Sequence, residues 1–264
     1  MTKSSKDAVN GEPQRAPRVT NDAADVKPAA GRERVTQSPR APLADSPARE
    51  ADRTHEFNSL AQDDLLELAG QLADRGDLQE AATAYRTYLT RHPEEVPARR
   101  GLASVLEQKG DLAGALGELG RAIDAQPDDI SLLCGRAAVQ MAMQRYDKAE
   151  ADLRRASKLD ADSAEVLFNF GMLFCKKARW REAIEPLQRA AELDPSNPQG
   201  HYYLGEAYNQ TDQLKLALAS YEATVKLQPA NYRALKGVGI VLDKLGRPAE
   251  ATAAYQRARD AQRR

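Results

Sequence analysis

The chain is poor in the residues that usually announce chemistry. It holds two cysteines, Cys134 and Cys175, and three histidines, His55, His92 and His201, in 264 residues. None falls in a CxxC or Cys/His spacing, so the sequence encodes neither a disulfide framework nor a local metal motif, and no cofactor is expected. Aromatic residues make up 5% of the sequence, with one tryptophan, so a core has to be built mainly from small and aliphatic side chains. A net charge of -1, from 38 basic and 39 acidic residues, gives no overall field to draw in nucleic acid or an anionic membrane. No apolar run approaches the roughly 18 residues of a membrane span, and Met1 to Asn10 lack the apolar core of a signal peptide. These absences lead us to expect a cytoplasmic protein with reduced thiols, no nucleic-acid partner and no membrane insertion. Catalytic motifs are missing as well: there is no GxSxG elbow, phosphate loop or HExxH. The nearest match to a dinucleotide fingerprint, Gly237-Val238-Gly239, sits in a helical context with no preceding strand. An enzyme is therefore not expected.

What the chain does have is unevenly spread. Residues 1–58 hold six of the 14 prolines, much Ala, Ser, Asp and Arg, and Phe57 as their one aromatic residue. Such a segment buries too little apolar surface to offset roughly 1–2 kcal/mol of backbone ordering per residue, and it predicts a disordered arm. The short matches Arg18-Val19-Thr20 and Arg34-Val35-Thr36, and the serines of Ser38-Pro39 and Ser46-Pro47, fall within it.

From Ser59 onward a 34-residue period appears. Pro93, Pro127, Pro195 and Pro229 lie on one grid, with Ala161 at the vacant node. Ala81, Ala115, Ala149, Ala183, Ala217 and Ala251 fill a second column; Ala69, Ala103, Ala137, Gly171, Gly205 and Gly239 fill a third. Small residues are needed where helix backbones approach closely, and the column Leu72, Leu106, Gln140, Phe174, Tyr208, Leu242 supplies larger side chains between neighbours. Gly76, Gly110 and Gly246 suit left-handed helix ends, Pro248 a first helical turn, and Asn197 and Asn231 N-caps, while Ser59 with Gln62 reads as a capping box. Pro186 falls about a turn inside a predicted helix and predicts a bend there.

These columns, above all Leu167, Phe170, Gly171, Phe174, Trp180, Ala183, Leu187, Ala190 and Pro195, resemble the tetratricopeptide repeat family over residues 62 to about 261. The resemblance implies an all-α, right-handed superhelical solenoid of antiparallel helix pairs, with six units in residues 59–264 behind the 1–58 arm. It also implies a concave surface lined by the first helix of each pair, and a protein or peptide partner. Arg136 and Gln140 depart from it by standing at apolar positions of unit three, where they should loosen packing or bring polar groups to the junction of units two and three. In unit six, Thr252 and Arg259 replace apolar residues and predict a polar terminal face, as expected where a stack stops. His201 shares a column with Leu65, Leu133, Leu167 and Leu235, which points to packing. Leu66, Gly70, Gly101, Ser131 and Gly135 stand where carboxylate-gripping members of the family carry Lys, Arg and Asn, so that clamp is missing. Asn169 alone matches the asparagine ladder of glycosyltransferase-associated repeats.

Helical periodicity then sorts the concave face. Units one and two offer charged and small residues, and unit six returns to charge with Arg233, Lys236, Asp243 and Lys244. Between them lie Cys134, Met141, Phe168, Asn169, Met172, Cys175, Tyr202, Tyr203 and Asn209. An apolar and aromatic patch bounded by charge fits a peptide or helix of a partner, with the asparagines able to bond its backbone. The opposing reading is that Phe168, Met172 and Tyr202 simply bridge adjacent helices. Two further functions stay open at this point: a subunit that self-associates, and an adaptor whose arm occupies its own groove.

Overall fold

The computed structural model describes Phe57 and residues 61–263; the rest of the expected arm, with its paired motifs, its proline-directed serines and Ser59, lies outside the described residues. Twelve α-helices follow one another between Gln62 and Gln262, and no strand occurs among the described residues. We number them α1 Gln62–Arg75, α2 Leu78–Arg91, α3 Val96–Gln108, α4 Leu112–Ala125, α5 Ile130–Ala142, α6 Tyr146–Leu159, α7 Ala164–Lys176, α8 Trp180–Leu193, α9 Pro198–Gln210, α10 Leu214–Leu227, α11 Tyr232–Lys244 and α12 Pro248–Gln262. Each odd helix pairs with the even helix that follows, and each pair stacks on the next, giving a six-unit solenoid. Helices α1, α5, α7 and α9 also reach the next odd helix, so the odd helices form the inner wall of the stack.

The column of alanines from Ala81 to Ala251 is buried in every unit, at 0–1% exposure, which is what close approach of two helix backbones requires. Larger residues interlock around it. Tyr221 of α10 is fully buried, and a Cβ at Gly237 would lie 2.7 Å from its ring. Glycine is therefore the only residue that admits this tyrosine to the junction of units five and six.

The turns inside the units share one geometry. Gly76, Gly110 and Gly246 are left-handed, at φ +84°, +81° and +72°, as expected. In units three, four and five the same position is held by Gln144, Ala178 and Asp212, at φ +58°, +56° and +60°, a conformation that strains residues bearing a Cβ. Asn197 caps α9 by accepting from the backbone N–H of Gln199 and Gly200, and Asn231 caps α11 by accepting from Ala234 N–H. Asp111, Asp129 and Ser163 act likewise for α4, α5 and α7. Helix α8 runs through Pro186 without interruption.

The polar residues of unit three find each other. Arg136 donates from Nε and NH2 to both carboxylate oxygens of Asp152, at 2.8 and 2.6 Å, and Gln140 Nε2 donates to Asp152 Oδ2 at 3.1 Å. The group bridges α5 and α6, and the carboxylate of Asp124 in unit two adds to the field that holds Arg136 charged. The two polar members of another column are hooked backwards: Arg99 donates to the carbonyl of Pro93, and His201 Nε2 lies 3.0 Å from the carbonyl of Pro195. Thr252 and Arg259 of unit six are exposed.

Buried apolar side chains form two clusters that meet on α7. Val166 and Leu173 belong to the cluster of the preceding units, and Cys175 to that of the following ones. On the side of α7 away from the inner wall, Leu167, Phe170 and Phe174 are only half-buried and border an open cavity of about 470 Å³ with Pro186. Their counterparts Leu65, Leu133 and Leu235, and Leu72, Leu106, Tyr208 and Leu242, are buried.

Candidate functional site

Helix periodicity turns one face of α5, α7 and α9 toward the inner wall, and two adjoining cavities open there. The larger, about 490 Å³, is bordered by Cys134, Ala138 and Met141 of α5, Phe168, Asn169, Met172 and Lys176 of α7, and Tyr203 of α9. Its polar edge is Glu107, Glu165, Asn197 and Gln199. The smaller, about 210 Å³, is bordered by Cys175, Lys176, Trp180, Tyr202, Tyr203, Glu206 and Arg233.

Of the nine residues expected here, the structure brings Cys134, Met141, Phe168, Asn169, Met172 and Tyr203 to the first cavity, and Cys175, Tyr202 and Tyr203 to the second. Asn209 borders neither; its Oδ1 accepts from Lys244 Nζ at 2.8 Å, and it is buried. Asn169 is also occupied, its Nδ2 donating to the carbonyl of Glu165 one turn earlier in α7. Both asparagines thus serve the fold itself. Cys134 and Met141 are almost fully buried and form the floor, whereas Phe168, Met172, Tyr202 and Tyr203 are half-buried and form the walls. Phe168 and Tyr203 stand 6.1 Å apart across α7 and α9, and Tyr202 meets Tyr203 edge-on at 5.5 Å.

The electrostatics make this floor inert. Burial pushes the Cys134 thiol up to about 12, with the carboxylates of Glu165, Asp129 and Asp152 adding to the effect. Burial and then Glu206 push Cys175 up to about 12. Neither sulfur is a thiolate near neutrality, so neither cysteine is a nucleophile there. Burial also raises Tyr202 to about 12, which keeps its hydroxyl protonated. No group of three or more His, Cys, Asp or Glu able to hold a metal occurs among the described residues.

Lys176 and Arg233 lie on inner-face columns, yet their shared cavity with Trp180 is not legible in the sequence. Trp180 begins α8, which repeat position assigns to the outer helices, yet it borders this cavity.

The profile described as tetratricopeptide repeat matches residues 66–130 and 210–263, and a second, described as TPR repeat, matches residues 171–212. A profile of the coatomer epsilon subunit matches residues 123–190. Among solved structures, a crystal structure of MamA is 25% identical, with 61% of this chain and 95% of that one covered at a TM-score of 0.52. MamA from Desulfovibrio magneticus RS-1 is 17% identical, with 64% and 95% covered at 0.53. PilF of Pseudomonas aeruginosa is 19% identical, with 76% and 90% covered at 0.61. No curated protein sequence matches the chain. No described helix is long and apolar enough to cross a membrane.

Proposed function

The chain belongs to the tetratricopeptide repeat family, and from that premise we propose that it is a non-catalytic scaffold holding a segment of a partner protein against the inner wall of units three to five. Members of the family are in general protein-interaction scaffolds, and fold alone leaves the partner open. The observation that carries the narrower reading is the cavity of about 490 Å³ whose walls are the half-buried Phe168, Met172 and Tyr203. An apolar side chain seated there removes these rings from water, and the polar edge supplies partners for the backbone on either side of it.

The test is a double substitution, Phe168→Ala with Tyr202→Ala, in the full chain. Capture of partners from the native cell should disappear while circular dichroism stays helical. Undiminished capture would overturn the groove assignment.

A second reading, self-association, has one observation in its favour. Leu159, Leu193 and Leu227 occupy the same position of three successive units and are 42–50% exposed, forming an apolar ladder at the ends of α6, α8 and α10. Sedimentation velocity of the full chain and of a Leu159→Ser, Leu193→Ser, Leu227→Ser variant separates the two readings. A concentration-dependent dimer that the variant abolishes would support self-association, and a monomer throughout would end it. A body starting at residue 59 behind an arm over 1–58 is part of our proposal, whereas occupation of the groove by that arm concerns residues outside those described.

A further inference from the structure

The smaller cavity has an unbalanced charge. Lys176 ends α7 and Arg233 begins α11; both are exposed, both border the cavity, and neither is paired with a carboxylate among the described residues. On the outer faces, Arg155, Lys177 and Arg189 each reach an acidic side chain of the unit before. The one carboxylate of the cavity, Glu206, is already engaged by the hydroxyl of the buried Tyr221 at 2.5 Å. A cationic guest among Trp180, Tyr202 and Tyr203 would meet two like charges. An anionic guest would meet two opposite charges, while the hydroxyl of Tyr202, like that of Tyr221, is turned to Glu206.

Lys176 and Tyr203 stand in the walls of both cavities. The apolar guest of the larger cavity and the anionic guest of the smaller are therefore neighbours along one chain, a few extended residues apart. Glu107 and Glu165, on the polar edge of the larger cavity, oppose the reverse orientation.

Building on the groove reading above, we infer that the partner segment carries an Asp or Glu within about three residues of its apolar anchor, and that Lys176 and Arg233 receive that carboxylate. The recognition element is an acidic-apolar pair read by units three to six. Glu206 sets the strength of the contact by partly cancelling the two cations.

A random peptide library displayed on phage and selected on the full chain tests this. Enriched peptides are then titrated in solution while the emission of Trp180, the sole tryptophan and a wall of the smaller cavity, is followed. The expected result is enrichment of Asp or Glu within three residues of Phe, Leu, Met or Ile. Affinity should fall about tenfold or more in Lys176→Gln with Arg233→Gln, and rise several-fold in Glu206→Gln. All three side chains lie at the surface or half-buried, so these variants should keep the wild-type circular dichroism. Peptides that need Phe168 and Met172 but lack acidic residues, or that bind the Lys176/Arg233 variant unchanged, would overturn the inference and leave the groove reading standing. Peptides indifferent to Phe168 and Met172 as well would overturn both.

Discussion

Three side chains carry strain that their counterparts avoid. Ala178, at φ +56°, occupies the turn position that glycine holds in units one, two and six. Left-handed backbone costs a residue with a Cβ about 1–2 kcal/mol, and glycine returns part of that through the entropy of the unfolded chain. Ala178→Gly should therefore raise stability by about 0.5–1 kcal/mol, visible as a higher urea midpoint at unchanged slope. The opposite holds at Gly237. In an unencumbered helix, Ala would be favoured over Gly by about 1 kcal/mol, but here the added methyl runs into the Tyr221 ring. Overpacking of this kind costs about 1–3 kcal/mol, so Gly237→Ala should lower the urea midpoint, and Tyr221→Leu in the same chain should recover part of the loss through non-additivity. The left-handed glycines and the asparagine caps were legible because turn chemistry has a residue code. Gln144, Ala178 and Asp212 were not, because a fixed 34-residue repeat imposes the turn on whatever residue stands there.

Two helix pairs are joined by a charged bridge, α3 and α4 through Arg99 and Glu118 at 2.6 Å and α5 and α6 through Arg136 and Asp152. Arg136 and Gln140 were legible as departures from the apolar pattern, but their complement was not. Asp152 lies 12 to 16 residues away on the paired helix, and its partnership emerges only once the two helices are packed. Asp152→Ala would leave Arg136 and Gln140 unpaired at a largely desolvated position and should cost about 2–3 kcal/mol. Replacing all three together, Arg136→Leu, Gln140→Leu and Asp152→Ala, supplies the leucines that unit two carries as Leu102 and Leu106. Chemical denaturation should then recover most of that loss. The α7–α9 wall shows the same limit. Periodicity alone identified the inner-face residues, whereas the commitment of Asn169 and Asn209 to neighbouring groups depends on contacts that no column records.

For the solenoid as a body, several groups raised by burial tie stability to alkaline pH, Tyr85, Tyr203, Tyr208 and Tyr221 among them. Cys134 and Cys175 ionise at about 12 when folded against an ordinary 9.0, and Tyr202 at about 12 against 10.0, each chiefly through burial. The folded chain thus retains protons that the unfolded chain releases. Their contribution is whole below about pH 9 and is lost as pH climbs toward 12, at up to about 1.4 kcal/mol per pH unit for each ionising group. Urea midpoints measured from pH 8 to pH 11 should decline, and a Cys134→Ala, Cys175→Ala variant should show a shallower decline. Unfolding of a stacked-repeat protein need not be all-or-none, so the two halves of the chain are best followed by separate probes.

The meeting of two apolar clusters on α7, with a gap of about 470 Å³ on its outward side, has a mechanical meaning. A stack held end to end by a continuous core resists tension uniformly, whereas here two apolar clusters share one helix, α7, whose outward flank is thinly backed. Drawn between its termini in an optical trap, the chain should lengthen in two separated rips, the first opening at α7 and the second releasing the surviving block. Shallow loads below the first rip would change the pitch locally, so that how hard the ends are pulled would set the spacing of the inner helices.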